Sequence, residues 1–136
     1  MDRIVNIWFE EEWLYGHGDD GKTYRQSLLW YKALMKASQE ERQKYTFSRE
    51  GIHWRNLDTD VSFESFEYPE AEPTDLQRFF LTHPEINIAG FAERADINAT
   101  LMRNYINGFK NPSPETVSKI KACLQAIGHE YLDAIL

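Results

Sequence analysis

The sequence predicts an α+β chain, with a small α+β domain over residues 1–66, a linker at 67–73 and an all-α domain of five helices over 74–136. Three observations predict this. Up to Phe66 the chain is cut into short runs of β-branched and aromatic residues separated by Gly, Asp and Asn, the pattern of strands and tight turns. From Thr74 onward the apolar residues recur at three- and four-residue spacing, and capping residues mark where each run begins and ends. Between the two lies Glu67-Tyr68-Pro69-Glu70-Ala71-Glu72-Pro73, acidic and proline-bearing, which reads as a short linker.

In the first half, Ile4–Phe9 reads as a strand, Glu10-Glu11-Glu12 as a turn and Trp13-Leu14-Tyr15 as a second strand. Gly16 to Gly21 reads as a solvated loop, and Thr23-Tyr24-Arg25 as the returning strand. Ser27 can cap a helix with Leu28, Leu29, Tyr31, Leu34 and Met35 on its inner side. Ser38-x-x-Glu41 has the form of a capping box. Tyr45–Phe47 and Ile52–Trp54 read as strands around the Arg49-Glu50-Gly51 turn, and Val61–Phe66 closes the unit.

In the second half, Thr74-x-x-Gln77 is a further capping box, opening a helix with Leu76, Phe79 and Phe80 that Pro84 ends. Asn87 caps the next, with Ile88, Phe91, Ala92 and Ala95 along one face. Asp96-Ile97 breaks the pattern, and Asn98 caps a helix carrying Leu101, Met102, Tyr105 and Ile106. Asn107-Gly108 stops it with residues that tolerate positive φ. Ser113 and Pro114 open a fourth helix with Val117, Ile120, Leu124 and Ile127, which Gly128 is expected to end. Tyr131, Leu132, Ile135 and Leu136 supply a fifth.

Composition bounds the function. The chain is 42% hydrophobic and 14% aromatic, enough to fill a core. No apolar run reaches the ~18–20 residues of a membrane span, and no signal peptide is recognisable, so a cytoplasmic protein is expected. A single cysteine, Cys123, permits neither an internal disulfide nor a cysteine-based zinc site, and it lies on an apolar helical stripe. Net charge is −7, unevenly spread: residues 1–74 hold 15 acids and 9 bases, residues 75–136 hold 7 acids and 6 bases. The near-neutral second half can still place Arg94, Arg103, Lys110, Lys119 and Lys121 along one face.

Two short helices joined by a tight turn, the second ending at Asn-Gly, describe a helix-turn-helix. The segment AERADINATLMRNYINGFKNPSPETVSKI resembles the lambda-repressor/Cro-type DNA-binding domain. Ala92 matches the small residue of that family's first motif helix, Ile97 the apolar turn residue and Asn98 the polar cap. Gly108 matches the glycine after the recognition helix, and Pro112-Ser113 the entry to the next helix. The resemblance implies a homodimer on double-stranded DNA, with Asn98 at the DNA-facing cap and Ala99, Thr100, Arg103, Asn104 and Asn107 turned towards the major groove. Arg103 suits guanine O6/N7, Asn104 suits adenine, and Ala99 and Thr100 can lie against a thymine methyl. Thr100, Lys110 and the amides near Asn87 and Asn98 can reach phosphates.

Three departures favour a different class. Ile88-Ala89-Gly90 stands where the family has a polar phosphate contact, Ile106 where it has a charge, and bases are few. The alternative is a protein–protein module, antitoxin-like or a scaffold, with an apolar rim at Ile88, Leu101 and Ile106.

The first half resembles the bacterial domain of unknown function 2442 through its strand-turn-strand opening and the segment GIHWRNLDTDVSFESF. Trp54, Leu57, Asp58, Val61 and Phe66 fall at that family's positions. The resemblance implies a small α+β domain without assigned activity and a small partner protein encoded nearby.

No catalytic residue, metal ligand or cofactor is expected. His17 beside Asp19 and Asp20 lacks the spacing of a calcium loop. His53 alternates with Ile52 and Trp54 on a strand, and Asp58 and Asp60 suit turn-forming residues better than an acid/base pair. No phosphate-binding glycine loop or nucleophile motif is present.

Overall fold

The structure is a computed structural model describing residues 1–68 and 72–136; Pro69–Ala71, within the expected linker, lie outside the described residues. It divides into two compact units, Met1–Pro73 and Thr74–Leu136, the first built around sheets and the second helical. Among the described residues there are six α-helices, two short ones in the first unit and four in the second.

In the first unit, β1 (Ile4–Glu10), β2 (Trp13–Gly18) and β3 (Thr23–Ser27) form an antiparallel meander. Strand pairing runs further than local composition suggested. Glu10 pairs with Trp13, so the turn is only Glu11-Glu12, and β2 continues through His17 and Gly18. The helix expected from Ser27 is interrupted. Ser27 caps a 3₁₀ turn at Leu28–Trp30, and Tyr31, at φ −127° and ψ 76°, separates it from α1 (Lys32–Lys36). Met35, expected inside, is exposed.

After α2 (Gln39–Arg42), opened by the Ser38–Glu41 capping box, β4 (Thr46–Phe47), β5 (Gly51–Trp54) and β6 (Thr59–Ser62) make a second antiparallel sheet. The segment expected to close the unit is strand only to Ser62, and a 3₁₀ turn at Glu64–Glu67 follows. Ile4, Leu14, Leu28, Leu34, Ile52 and Trp54 share one core. Glu72, expected in the linker, is held to this unit by Arg25, whose Nε lies 2.8 Å from its carboxylate.

The second unit comprises α3 (Asp75–Leu81), α4 (Ile88–Arg94), α5 (Ala99–Ile106) and α6 (Pro114–Leu132) around Phe80, Phe91, Ala92, Met102, Tyr105 and Ile120. The expected fifth helix does not exist. α6 runs through Gly128 to Leu132 without a break, because a glycine in ordinary helical backbone costs only about 1 kcal/mol against Ala. No described helix is long and apolar enough to cross a membrane.

Candidate nucleic-acid interface

The turn between α4 and α5 is built by local rules. Asn87 accepts a bond from Gly90 N–H at the start of α4. At its end Asp96 takes φ 57°, and the amides of Asp96 and Ile97 donate to the carbonyls of Glu93 and Ala92 at 3.1 and 2.8 Å. This is the paired bonding of a Schellman stop, made here with Asp in the left-handed position usually given to Gly. Lys119 of α6 braces it, its Nζ donating to the Asp96 carbonyl at 2.8 Å. Asn98 then caps α5, its side chain accepting from Leu101 N–H at 3.1 Å.

α5 ends in a second Schellman stop. Gly108 sits at φ 81°, and Phe109 N–H donates to the Asn104 carbonyl at 2.9 Å. Buried Gln77 adds a tertiary clamp. Its side-chain oxygen accepts from Thr74 N–H at 2.9 Å, while Nε2 donates to the Tyr105 carbonyl at 3.1 Å, tying the start of α3 to the last turn of α5.

Between these stops Met102, Tyr105 and Ile106 face the core, and Thr100, Arg103 and Asn107, at i, i+3 and i+7, face solvent on one side. Asn98 and Lys110 are exposed as well. Asn104 is half-buried. Ala99, expected to face outward, is half-buried and packs against the core cluster.

The cations are sorted by the fold. Arg94 is paired with Glu130 of α6, and Lys119 with Asp96. Arg103, Lys110 and Lys121 are exposed and make no ion pair among the described residues. Two of the five cations expected along one face are thus paired with acids.

The apolar rim expected at Ile88, Leu101 and Ile106 is absent. Ile106 is buried, and Ile88 and Leu101 are half-buried against the same core. Phe109 instead is 78% exposed immediately after α5. The capping box of Thr74 and Gln77 forms as expected, whereas the Gln77 bond to Tyr105 and the Lys119 brace had no local signal, since each reaches a residue more than twenty positions away.

The residues weighed for catalysis fall elsewhere. Asp58 occupies the left-handed turn at φ 46°, whereas Asp60 lies on β6 opposite His53. His53 Nδ1 is 2.6 Å from Asp60 Oδ1, and Nε2 is 2.6 Å from Ser48 Oγ. Ser48 Oγ also accepts from the amides of Glu50 and Gly51 at 3.2 Å, and Asp60 is 74% exposed. The network braces a hairpin in open water, with its serine oxygen occupied in holding the turn. His17 lies on β2, 2.9 Å from Asn6 Oδ1 and against the Trp8 ring. Among the described residues no group of three His, Cys, Asp or Glu side chains converges as a metal site would.

The profile of a family described as "Protein of unknown function (DUF2442)" matches residues 4–72. The chain belongs to this family. The matched span contains the six strands found among the described residues, so the sheet-bearing unit is the DUF2442 domain and the four-helix unit lies beyond the match. No curated protein and no solved structure matches the chain.

Proposed function

We propose that this DUF2442 protein is a DNA-binding transcriptional regulator of the bacterial cytoplasm, with a lambda-repressor-like helix-turn-helix that lays α5 in the major groove. One observation carries the reading: α5 follows α4 across a tight Schellman turn and turns Thr100, Arg103 and Asn107 to solvent on one face. Arg103 reads a base edge, Asn104 and Asn107 contribute polar contacts from the same helix, and Lys110 meets phosphate. A homodimer sets two such helices ~34 Å apart, one turn of DNA. With Lys110 and Lys121 neutralising one phosphate each, the slope of log K against log salt is about −1.8 per protomer, at about −0.9 per phosphate.

Selection from a random duplex library at ~150 mM salt, followed by gel shifts on the enriched sequence, tests this. Arg103→Ala is expected to lose ~1–3 kcal/mol and to relax preference at one base pair, whereas Lys110→Ala weakens all sequences alike. No enrichment, or equal retention by both variants, rejects the reading.

A second reading is a protein–protein module, antitoxin-like or a scaffold, that keeps the repressor-like helices without binding DNA and docks a small neighbour-encoded protein. Phe109 supports it, as a large apolar side chain in water beside the candidate interface. On this reading the wild-type chain shows no salt-sensitive DNA retention, and Phe109→Ser is expected to abolish co-purification of that partner.

A further inference from the structure

The helical unit holds a cleft that the DNA reading does not use. It lies among the end of α3, the segment leading into α4, α4 itself and the C-terminal half of α6, and has a volume of about 540 Å³. Small-molecule sites typically span ~300–1,000 Å³ and are mostly apolar with a few placed polar groups. Here Phe79, Ile86, Phe91, Leu124 and Ile127 supply apolar wall.

Two further wall residues are glycines inside helices, Gly90 in α4 and Gly128 in α6. Neither takes a positive φ. A Cβ at Gly128 would meet nothing within 4 Å, and one at Gly90 nothing nearer than 3.5 Å. Glycine is a poor helix former, and neither backbone nor packing requires it at these positions. What both glycines do is keep side chains off the wall of the same cleft.

The charge at the cleft points to the occupant. Its lining carries one permanent cation, Arg94 on α4, and one acid, Glu85, exposed in the segment leading into α4. That guanidinium already holds a carboxylate two-point, Nη1 to Glu130 Oε1 at 3.3 Å and Nη2 to Oε2. This is the geometry in which arginine takes a ligand acid. Both partners are about half exposed, at 45% and 57%, so the pair is well screened and a competing carboxylate can replace Glu130 at small cost.

We infer that the cleft binds a small aromatic carboxylic acid, its ring among Phe79, Phe91 and Ile127 and its carboxylate on Arg94 in place of Glu130. The inference does not rest on DNA binding. Occupancy exchanges the link between α4 and α6 for one between α4 and the ligand.

Titration calorimetry of the full chain with 2-naphthoate tests it. The expected result is saturable one-to-one binding, weakened severalfold by Arg94→Gln, since an exposed arginine–carboxylate contact is worth up to ~1 kcal/mol. Glu130→Gln, which removes the competing acid, tightens binding severalfold. Gly128→Phe abolishes it without lowering Tm, while Gly128→Ala retains it. Arg94 and Glu130 lie at the surface, so their variants keep the inference testable even if Gly128→Phe misfolds. Absence of saturable binding in both wild type and Glu130→Gln would overturn it. So would equal affinity for neutral 2-naphthylmethanol, or a dimer in sedimentation that Gly128→Phe dissociates, which would assign the cleft to a second copy.

Discussion

The two units solve the same problem differently. In the helical unit each α-helix is opened by a residue whose side chain bonds the first turn: Thr74, Asn87, Asn98 and Ser113 for α3 to α6. Boundaries are therefore set within four residues of themselves. In the sheet unit the decisive bonds span the chain. Trp54 Nε1 donates to the Arg42 carbonyl at 2.9 Å, Gln26 to the Ser65 carbonyl, and Arg25 to Glu72. Local rules can place a cap, but a strand end depends on where its partner stops.

The largest expected effect tests whether the units are energetically separate. Trp54 is 1% exposed at the centre of the first core, and Trp54→Ala is expected to cost about 3–5 kcal/mol. Met102, wholly buried in the second core, gives about 2–5 kcal/mol as Met102→Ala. In urea denaturation followed by NMR, each variant should lower the midpoint of its own unit and leave the other's in place. A common shift of both midpoints would break the comparison.

A smaller effect sharpens it from within the helical unit. Gln77 adds a long-range bond to local encoding there, and Gln77→Ala should cost about 1–3 kcal/mol by removing two bonds at once, to the Thr74 N–H and to the Tyr105 carbonyl. Losing only the cap, in Asn98→Ala, should cost about 1 kcal/mol. Thermal melts that rank Asn98→Ala above Gln77→Ala would show that the caps, rather than the clamp, hold α5.

The smallest effect belongs to the sheet unit's surface. Tyr24 hydroxyl donates to Asp20 Oδ2 at 2.6 Å, which holds Tyr24 up at about 12 from an ordinary 10.0 and holds Asp20 below its ordinary 3.8. The Tyr24 contribution is fully present below pH 10 and is lost as pH rises through about 12. The Asp20 contribution is present above pH 3.8 and is lost as pH falls through its lowered value. Ultraviolet titration should find Tyr24 ionising late, alongside Tyr31, which burial also pushes up, and Asp20→Asn should return only Tyr24 towards 10.0.

These contrasts explain what could be read in advance. Asn98, Thr100, Arg103 and Asn107 were placed by cap and period alone, because helical spacing assigns each side chain a direction. Gly128 misled because a glycine is a weak helix stop unless the backbone needs positive φ, and here it does not. Ile106, at the inner edge of its helix, was undecided by period and settled by packing against the core.

The sequence by itself determined the order of sheet unit and helical unit, the caps and the solvent face of α5, all consequences of interactions a few residues long. Tertiary structure alone decided which cations stay unpaired, since Arg94 and Lys119 find their acids 36 and 23 positions away. It also decided that α6 is continuous and that a cleft opens beside it. Charge pairing and cavity shape depend on distances across space, which no local pattern of residues carries.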